Sequence, residues 1–153
     1  MRGLSAGEIE LLVKNMDNFA GIFSLSQLKN VKIIGVPVGF IVNANQHWIS
    51  VYISDYSVEI MDSLGYLAGK NVHLNLINML CCHIYGKELL VTPKLQADAS
   101  DNCGKFAVSF LYFRILSRHN LERFASVFSQ DYDENSVRIN EIFKTVEKLS
   151  CNL

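Results

Sequence analysis

Apolar side chains recur at Ile9, Leu12, Val13 and Met16, the spacing of one helix face, just after Ser5 and Glu8, which are placed to cap each other's backbone N–H groups. The pattern predicts an amphipathic N-terminal helix ending near Asn18. Ser24 to Asn30 reads as a short helix or turn. Val31 to Val42 is β-branched and punctuated by glycine, with strand character expected over Gly39 to Asn43. A turn over Asn43 to Gln46, a strand over His47 to Ser54, a tight turn over Asp55 to Ser57 and a strand over Val58 to Asp62 complete an antiparallel meander. The period then lengthens, and Leu74, Ile77, Met79, Leu80 and Ile84 mark a helix within Asn71 to Tyr85. Glu88 to Thr92 is a fourth strand stopped by Pro93, and Lys94 to Asn102 a polar loop. Cys103 to Leu116 is apolar almost all round, with Phe106, Val108, Phe110, Leu111 and Ile115 as core, which predicts a central buried helix. Helices over Leu121 to Phe128 and Ser136 to Leu149 finish the chain, the last capped by Asn135.

These elements suit a single domain over residues 1–153. Half of the residues are hydrophobic, enough for one packed core, and no repeat, linker or low-complexity tract divides the chain. Runs such as Val36 to Val42 and Phe106 to Phe113 fall far short of the ~20 residues of a membrane span, and no basic-then-apolar leader opens the chain. A soluble, non-secreted protein is therefore expected, with no membrane partner. Fourteen Lys and Arg against 15 Asp and Glu give a net charge of -1, which argues against a nucleic acid partner.

The four cysteines, Cys81, Cys82, Cys103 and Cys151, contain no C-x-x-C pair, and His83 alone among the histidines is close to any of them in sequence. No metal site is expected. Adjacent Cys81 and Cys82 fall on a helical apolar run and read as small buried hydrophobes, and all four suit a reducing compartment.

Cys103 is different because it opens the buried helix. A helix N-terminus offers unpaired N–H groups and partial positive charge, so thiol acidity should rise, and the Cys103 N–H can face a developing oxyanion. Gly104 lets substrate and backbone approach closely. His47 opens one strand and Asp62 closes the next, which brings both to the same end of a hairpin. A neutral His47 would take the thiol proton and return it to a leaving amine, with Asp62 holding the other ring nitrogen. Gln96, seven residues before Cys103, can swing an amide toward the same oxyanion, and losing such a donor typically costs ~3 to 4 kcal/mol. Trp48 suits either core or the wall of a narrow cleft. Asp55, Glu59, Asp98 and Asp101 read as solvated carboxylates outside the site. Taken singly, His47 as a satisfied strand-end residue, Asp62 as a turn former and Cys103 as an inert thiol fit equally well. It is their conjunction in order that argues for a nucleophile.

The combination of His47-Trp48, Asp62-Ser63-Leu64-Gly65 and Gln96 seven residues ahead of Asn102-Cys103-Gly104 resembles the adenovirus-type (adenain-like) cysteine proteases, in the clan that includes the SUMO-deconjugating proteases. The likeness extends to Glu8 through Lys14. It implies an α+β, papain-like fold of the adenain type, with helices flanking a small mixed, mostly antiparallel sheet. It also implies endopeptidase activity through an acyl-thioester, on capsid or core precursors near glycine, during virion maturation. His47, Asp62, Gln96 and Cys103 would be catalytic, and Trp48 and Gly104 substrate-binding. The chain has Asp62 where adenoviral members have glutamate, and Tyr85-Gly86-Lys87-Glu88 lacks the cysteine to which their activating peptide is joined. No cofactor is expected, DNA activation is not expected, and an activating peptide is left open. A monomer in the virion and the host nucleus or cytoplasm follows from the same likeness. Two alternatives share the motif: an isopeptidase for a ubiquitin-like modifier, and a non-catalytic virion protein that binds a peptide strand.

Overall fold

The computed structural model describes residues 2–65 and 71–153, the side chains of 71–75 and 82 lying outside that description. In chain order it forms α1 (Ala6–Val13), β1 (Phe19–Ser24), a 3-10 turn (Leu28–Asn30), β2 (Val38–Ala44), β3 (His47–Ile53), β4 (Ser57–Met61), α2 (Asn71–Ile84), β5 (Glu88–Val91), α3 (Cys103–Leu116), α4 (Leu121–Ala125) and α5 (Tyr132–Ser150). The five strands lie side by side in sequence order. The central meander β2–β3–β4 is antiparallel, while β1 joins β2 and β5 joins β4 in parallel. The fold is thus α+β, with a mixed sheet flanked by helices.

Alternation along the strands divides the apolar residues between two cores. Ile41, Trp48, Tyr52 and Met61 pack with α1, α3, α4 and α5 on one face. Phe40, Val42, Ile49, Val51, Ile53, Val58 and Ile60 pack with Leu76 and Leu80 of α2 on the other. Helices on both faces explain why every residue of β3 is buried. α3 lies directly on that strand, where the Ser50 hydroxyl donates to the Ala107 carbonyl at 2.8 Å. The hairpin that starts β3 is a two-residue turn: Ala44 pairs with His47, and Asn45 and Gln46 both adopt left-handed φ, 55° and 68°. Such a turn matches the twist of the flanking strands and sets His47 at the strand's first position.

Several boundaries differ from the sequence reading. The Ser5/Glu8 capping box forms, but α1 ends at Val13 rather than near Asn18. Asn18, at φ 60°, then turns the chain into β1, an edge strand the pattern does not announce. α4 stops at Ala125. α5 starts at Tyr132, capped by Asp131, whose carboxylate accepts from the N–H groups of Asp133 and Glu134. Asn135, the expected cap, is instead a fully buried member of the helix's first turn. Cys81, expected to be buried, is exposed, because it turns away from the face that carries Leu76 and Leu80. Cys82, Leu74 and His73 lie outside the described side chains. Among the described residues no helix is long and apolar enough to cross a membrane.

Candidate active site

Antiparallel pairing of β3 and β4 returns the chain to the end of the sheet where His47 sits, and Asp62 is the first residue past β4. The imidazole Nε2–H donates to Asp62 Oδ1 at 2.7 Å, with both side chains buried. Asp62 is itself fixed by β5's extension. Its N–H donates to Thr92 Oγ1 at 2.8 Å, and the Thr92 hydroxyl donates to the Asp62 carbonyl at 3.1 Å. Asp62-Ser63-Leu64-Gly65 is a tight turn closed by the Gly65 N–H on the Asp62 carbonyl at 2.9 Å. Gly65 takes φ +66°, and a Cβ there would stand 2.9 Å from Lys94 Cβ and 3.0 Å from Lys94 N, so only glycine fits.

Cys103 is the first residue of α3, 8% exposed, and its thiol stands near enough to the His47 imidazole to help raise the ring's pKa. Nε2 is turned to Asp62, which leaves Nδ1, itself buried, for the thiol. Burial opposes the imidazolium most strongly, but the hydrogen bond that His47 donates to Asp62, the nearby Cys103 and the charges of both outweigh it and raise His47 from 6.5 to about 9. Whereas the sequence reading starts from a neutral base, that upward shift favours the imidazolium at neutral pH. That form is the acid a leaving amine needs.

A cleft of about 510 Å³ opens over this pair, with His47, Trp48, Leu64 and Cys103 among its lining and Asp98 and Asp101 at its side. Trp48 is both core and wall: 6% exposed, it belongs to the α3-side core and lines the cleft. Gly104 is buried behind the cleft wall. A Cβ there would lie 3.1 Å from Leu4 Cβ and 3.2 Å from Trp48 Cδ1, so the missing side chain admits Leu4 and Trp48 instead. Gln96 is anchored at both ends of its amide. It is 2% exposed, its Oε1 accepts from Ser63 Oγ at 2.6 Å and its Nε2 donates to the Ser100 carbonyl at 3.0 Å, which locks the loop that leads to Cys103.

Of the four carboxylates read as solvated, Asp55 is exposed and Asp98 is exposed and bonded to Lys94. Asp101 is half-buried at the cleft edge. Glu59 corrects the reading, being fully buried: Oε2 meets Arg114 Nε at 2.8 Å and Oε1 accepts the Leu121 N–H at 2.6 Å. It ties β4 to α3 and α4, away from His47. Other supporting residues escaped the sequence reading. Asn135 Nδ2 donates to the Leu95 carbonyl at 3.0 Å, and Asn102 Nδ2 donates to Ser136 Oγ at 2.9 Å, so the start of α5 holds both ends of the loop that leads to Cys103. Thr92 could have been found from its place just after a strand parallel to the one leading to Asp62. Asn135 and Ser136 read only as a helix cap and start, and nothing local marks their bonds to the loop before Cys103. Among the described residues no three His, Cys, Asp or Glu side chains group as a metal would require.

No protein-family model matches the chain, and no curated protein matches it. Solved structures do. The chain is similar to the SUMO protease Ulp1, solved with its catalytic cysteine oxidised to a sulfenic acid, at TM-score 0.55 and 16% identity over 95% of this chain and 77% of that one. It is similar to the ASFV pS273R protease at TM-score 0.52 and 14% identity, over 81% of this chain and 56% of that one. The central domain of Legionella pneumophila protein Lpg1148 gives TM-score 0.53 and 12% identity over 97% and 99%. At these identities the likeness establishes a shared fold. That fold is one used by proteases, including one with a catalytic cysteine.

Proposed function

We propose that the protein is a cysteine peptidase in which Cys103 attacks a peptide carbonyl, His47 is the acid and Asp62 orients it. The observation that carries this is the buried His47–Asp62 pair in contact with a cysteine at a helix N-terminus, on a fold shared with two proteases. The Cys103 thiolate adds to the scissile carbon, and the oxyanion is met by the first-turn N–H groups of α3, which have no helical carbonyl to bond. Gln96 Nε2 keeps a second hydrogen beyond the one given to Ser100, and in this reading that hydrogen is the other donor. His47 gives its proton to the departing amine and leaves an acyl-thioester. A water molecule, giving its proton to the now neutral His47, cleaves that ester and regenerates the thiol–imidazole pair.

The finer reading is an adenain-like viral endopeptidase that cuts structural precursors near glycine during virion maturation. It rests on the His-Trp, Asp-Ser-x-Gly and Gln-x6-Cys-Gly motifs, and the similarity to a protease of ASFV favours it. The similarity to Ulp1 favours a second reading, removal of a ubiquitin-like modifier. Incubation with a proteome-derived peptide library, with cleavage sites read by mass spectrometry, separates them from a binding protein. Cuts beside glycine that vanish in Cys103→Ala support the endopeptidase. Release of a modifier from an isopeptide-linked substrate, with the library left intact, supports the isopeptidase. Neither product means the fold serves binding alone.

A further inference from the structure

We infer that the N-terminal segment Arg2–Ser5 is a working wall of the cysteine site, with Leu4 as the positioning residue that sets Trp48 and the first turn of α3. This inference rests on the cysteine-nucleophile reading above. Three contacts meet in two residues. The Leu4 carbonyl accepts the Trp48 indole N–H at 2.9 Å, and Trp48 directly follows His47. The Leu4 side chain fills the space that Gly104 leaves, and Gly104 directly follows Cys103. Gly3 lies so close to the residues before the nucleophile that a Cβ on it would stand 2.9 Å from the Asp101 carbonyl oxygen. The segment therefore touches the neighbours of the base, the nucleophile and the nucleophile loop at once, and Gly3 and Leu4 also line the cleft.

Its own course is fixed from the helix side. Ser5 caps α1, whose Ile9 and Val13 are fully buried, so Leu4 enters the site from a rigid anchor. Arg2 pairs with Glu8 at 3.1 Å on the exposed side, a contact that guides the chain without holding it. The indole N–H matters most. It is carried by a 6% exposed ring, and its acceptor is a backbone carbonyl 44 residues upstream rather than a neighbour in the sheet. With Leu4 displaced, the ring loses both that acceptor and the apolar surface that keeps it beside Gly104, and so turns toward the cleft. Cys103 and His47 flank the space it would enter.

The test compares wild type, Leu4→Ala, Leu4→Met and Trp48→Phe by the iodoacetamide alkylation rate of Cys103 from pH 5 to 9, beside the melting transition of each. Leu4→Ala should lose at least about tenfold of the Cys103 rate at pH 6 and shift its pH profile while still melting cooperatively. Leu4→Met, which refills the space, should recover most of the rate. Trp48→Phe, which keeps a ring and drops the N–H, should fall between them and decides the matter should Leu4→Ala not fold. A wild-type profile in both Leu4→Ala and Trp48→Phe overturns the positioning role. A wild-type Cys103 with no advantage at pH 6 overturns the nucleophile reading and this inference with it.

Discussion

Replacing Asp62 by asparagine keeps the side chain's shape and an oxygen to accept the His47 Nε2–H, and removes the charge. In the native protein His47 stands at about 9 rather than 6.5, a preference for the imidazolium worth about 3 kcal/mol. The upward push must exceed that figure, because burial acts against it as the largest single influence. Asp62 and Cys103 share the push, and in both hydrogen bonding and charge Asp62 contributes more. At least half of it is therefore Asp62's, and because an uncharged amide oxygen accepts more weakly than a carboxylate, most of that share goes in Asp62→Asn, which should lower the His47 midpoint by about one pH unit or more. Long-range ¹H–¹⁵N correlation of the imidazoles follows each of the four histidines through its own titration, with His47→Gln to assign the resonance. The expected result is a midpoint near 9 in wild type and about 8 or lower in Asp62→Asn, with peptide turnover reduced about 10²- to 10⁴-fold. A variant that still titrates near 9 would mean that Asp62 is not what holds the proton, and would refute the reasoning.

The pH dependence of stability carries the same sign. Because the folded value lies above the ordinary one, the His47 contribution is complete below pH 6.5 and is lost as pH rises through about 9. The melting-temperature advantage of wild type over His47→Gln should therefore shrink between pH 7 and 10, and turnover should fall on the same limb as the acid is lost. Glu59→Ala leaves Arg114 and the Leu121 N–H without their buried acceptor and should cost about 3 to 5 kcal/mol in urea unfolding. A loss below about 1 kcal/mol would show the pair to be solvated. Asn135→Ala removes three side-chain hydrogen bonds, to the Leu95 carbonyl and to both backbone groups of Ser129, and should cost about 2 to 4 kcal/mol. It should also slow Cys103 alkylation, because the nucleophile loop loses its tie to α5.

Local chemistry explains which parts of this architecture can be read from the residues. The Ser5/Glu8 box, the apolar girth of Cys103–Leu116 and the alternation through β2, β3 and β4 are set by neighbours in sequence, and those elements form where the pattern puts them. β1 escapes because Phe19–Ser24 pairs in parallel with a strand 20 residues on, across a register shift between Phe19 and Ile22, and shows no clean alternation of burial. Met16 continues the helical spacing and is buried, although α1 has already ended at Val13. Glu59 reads as solvated because the charge that lets it be buried, Arg114, lies 55 residues away. At the site, His47, Asp62 and Cys103 are legible because strand ends and a helix start dictate their meeting. Gln96 and Gly104 are recognisable by position alone, and only the fold shows that Gln96 is locked to Ser63 and Ser100 and that Gly104 makes room for Leu4.

Competition among the cysteines for iodoacetamide at pH 6, read residue by residue by mass spectrometry, tests the nucleophile most directly. Cys81 and Cys151 are exposed and Cys103 is buried, so access alone would label the first two and spare the third. If Cys103 is paired with the His47 imidazolium, it reacts first despite its burial and loses that lead in His47→Ala. Labelling of Cys81 and Cys151 ahead of an inert Cys103, unchanged by His47→Ala, would contradict the account.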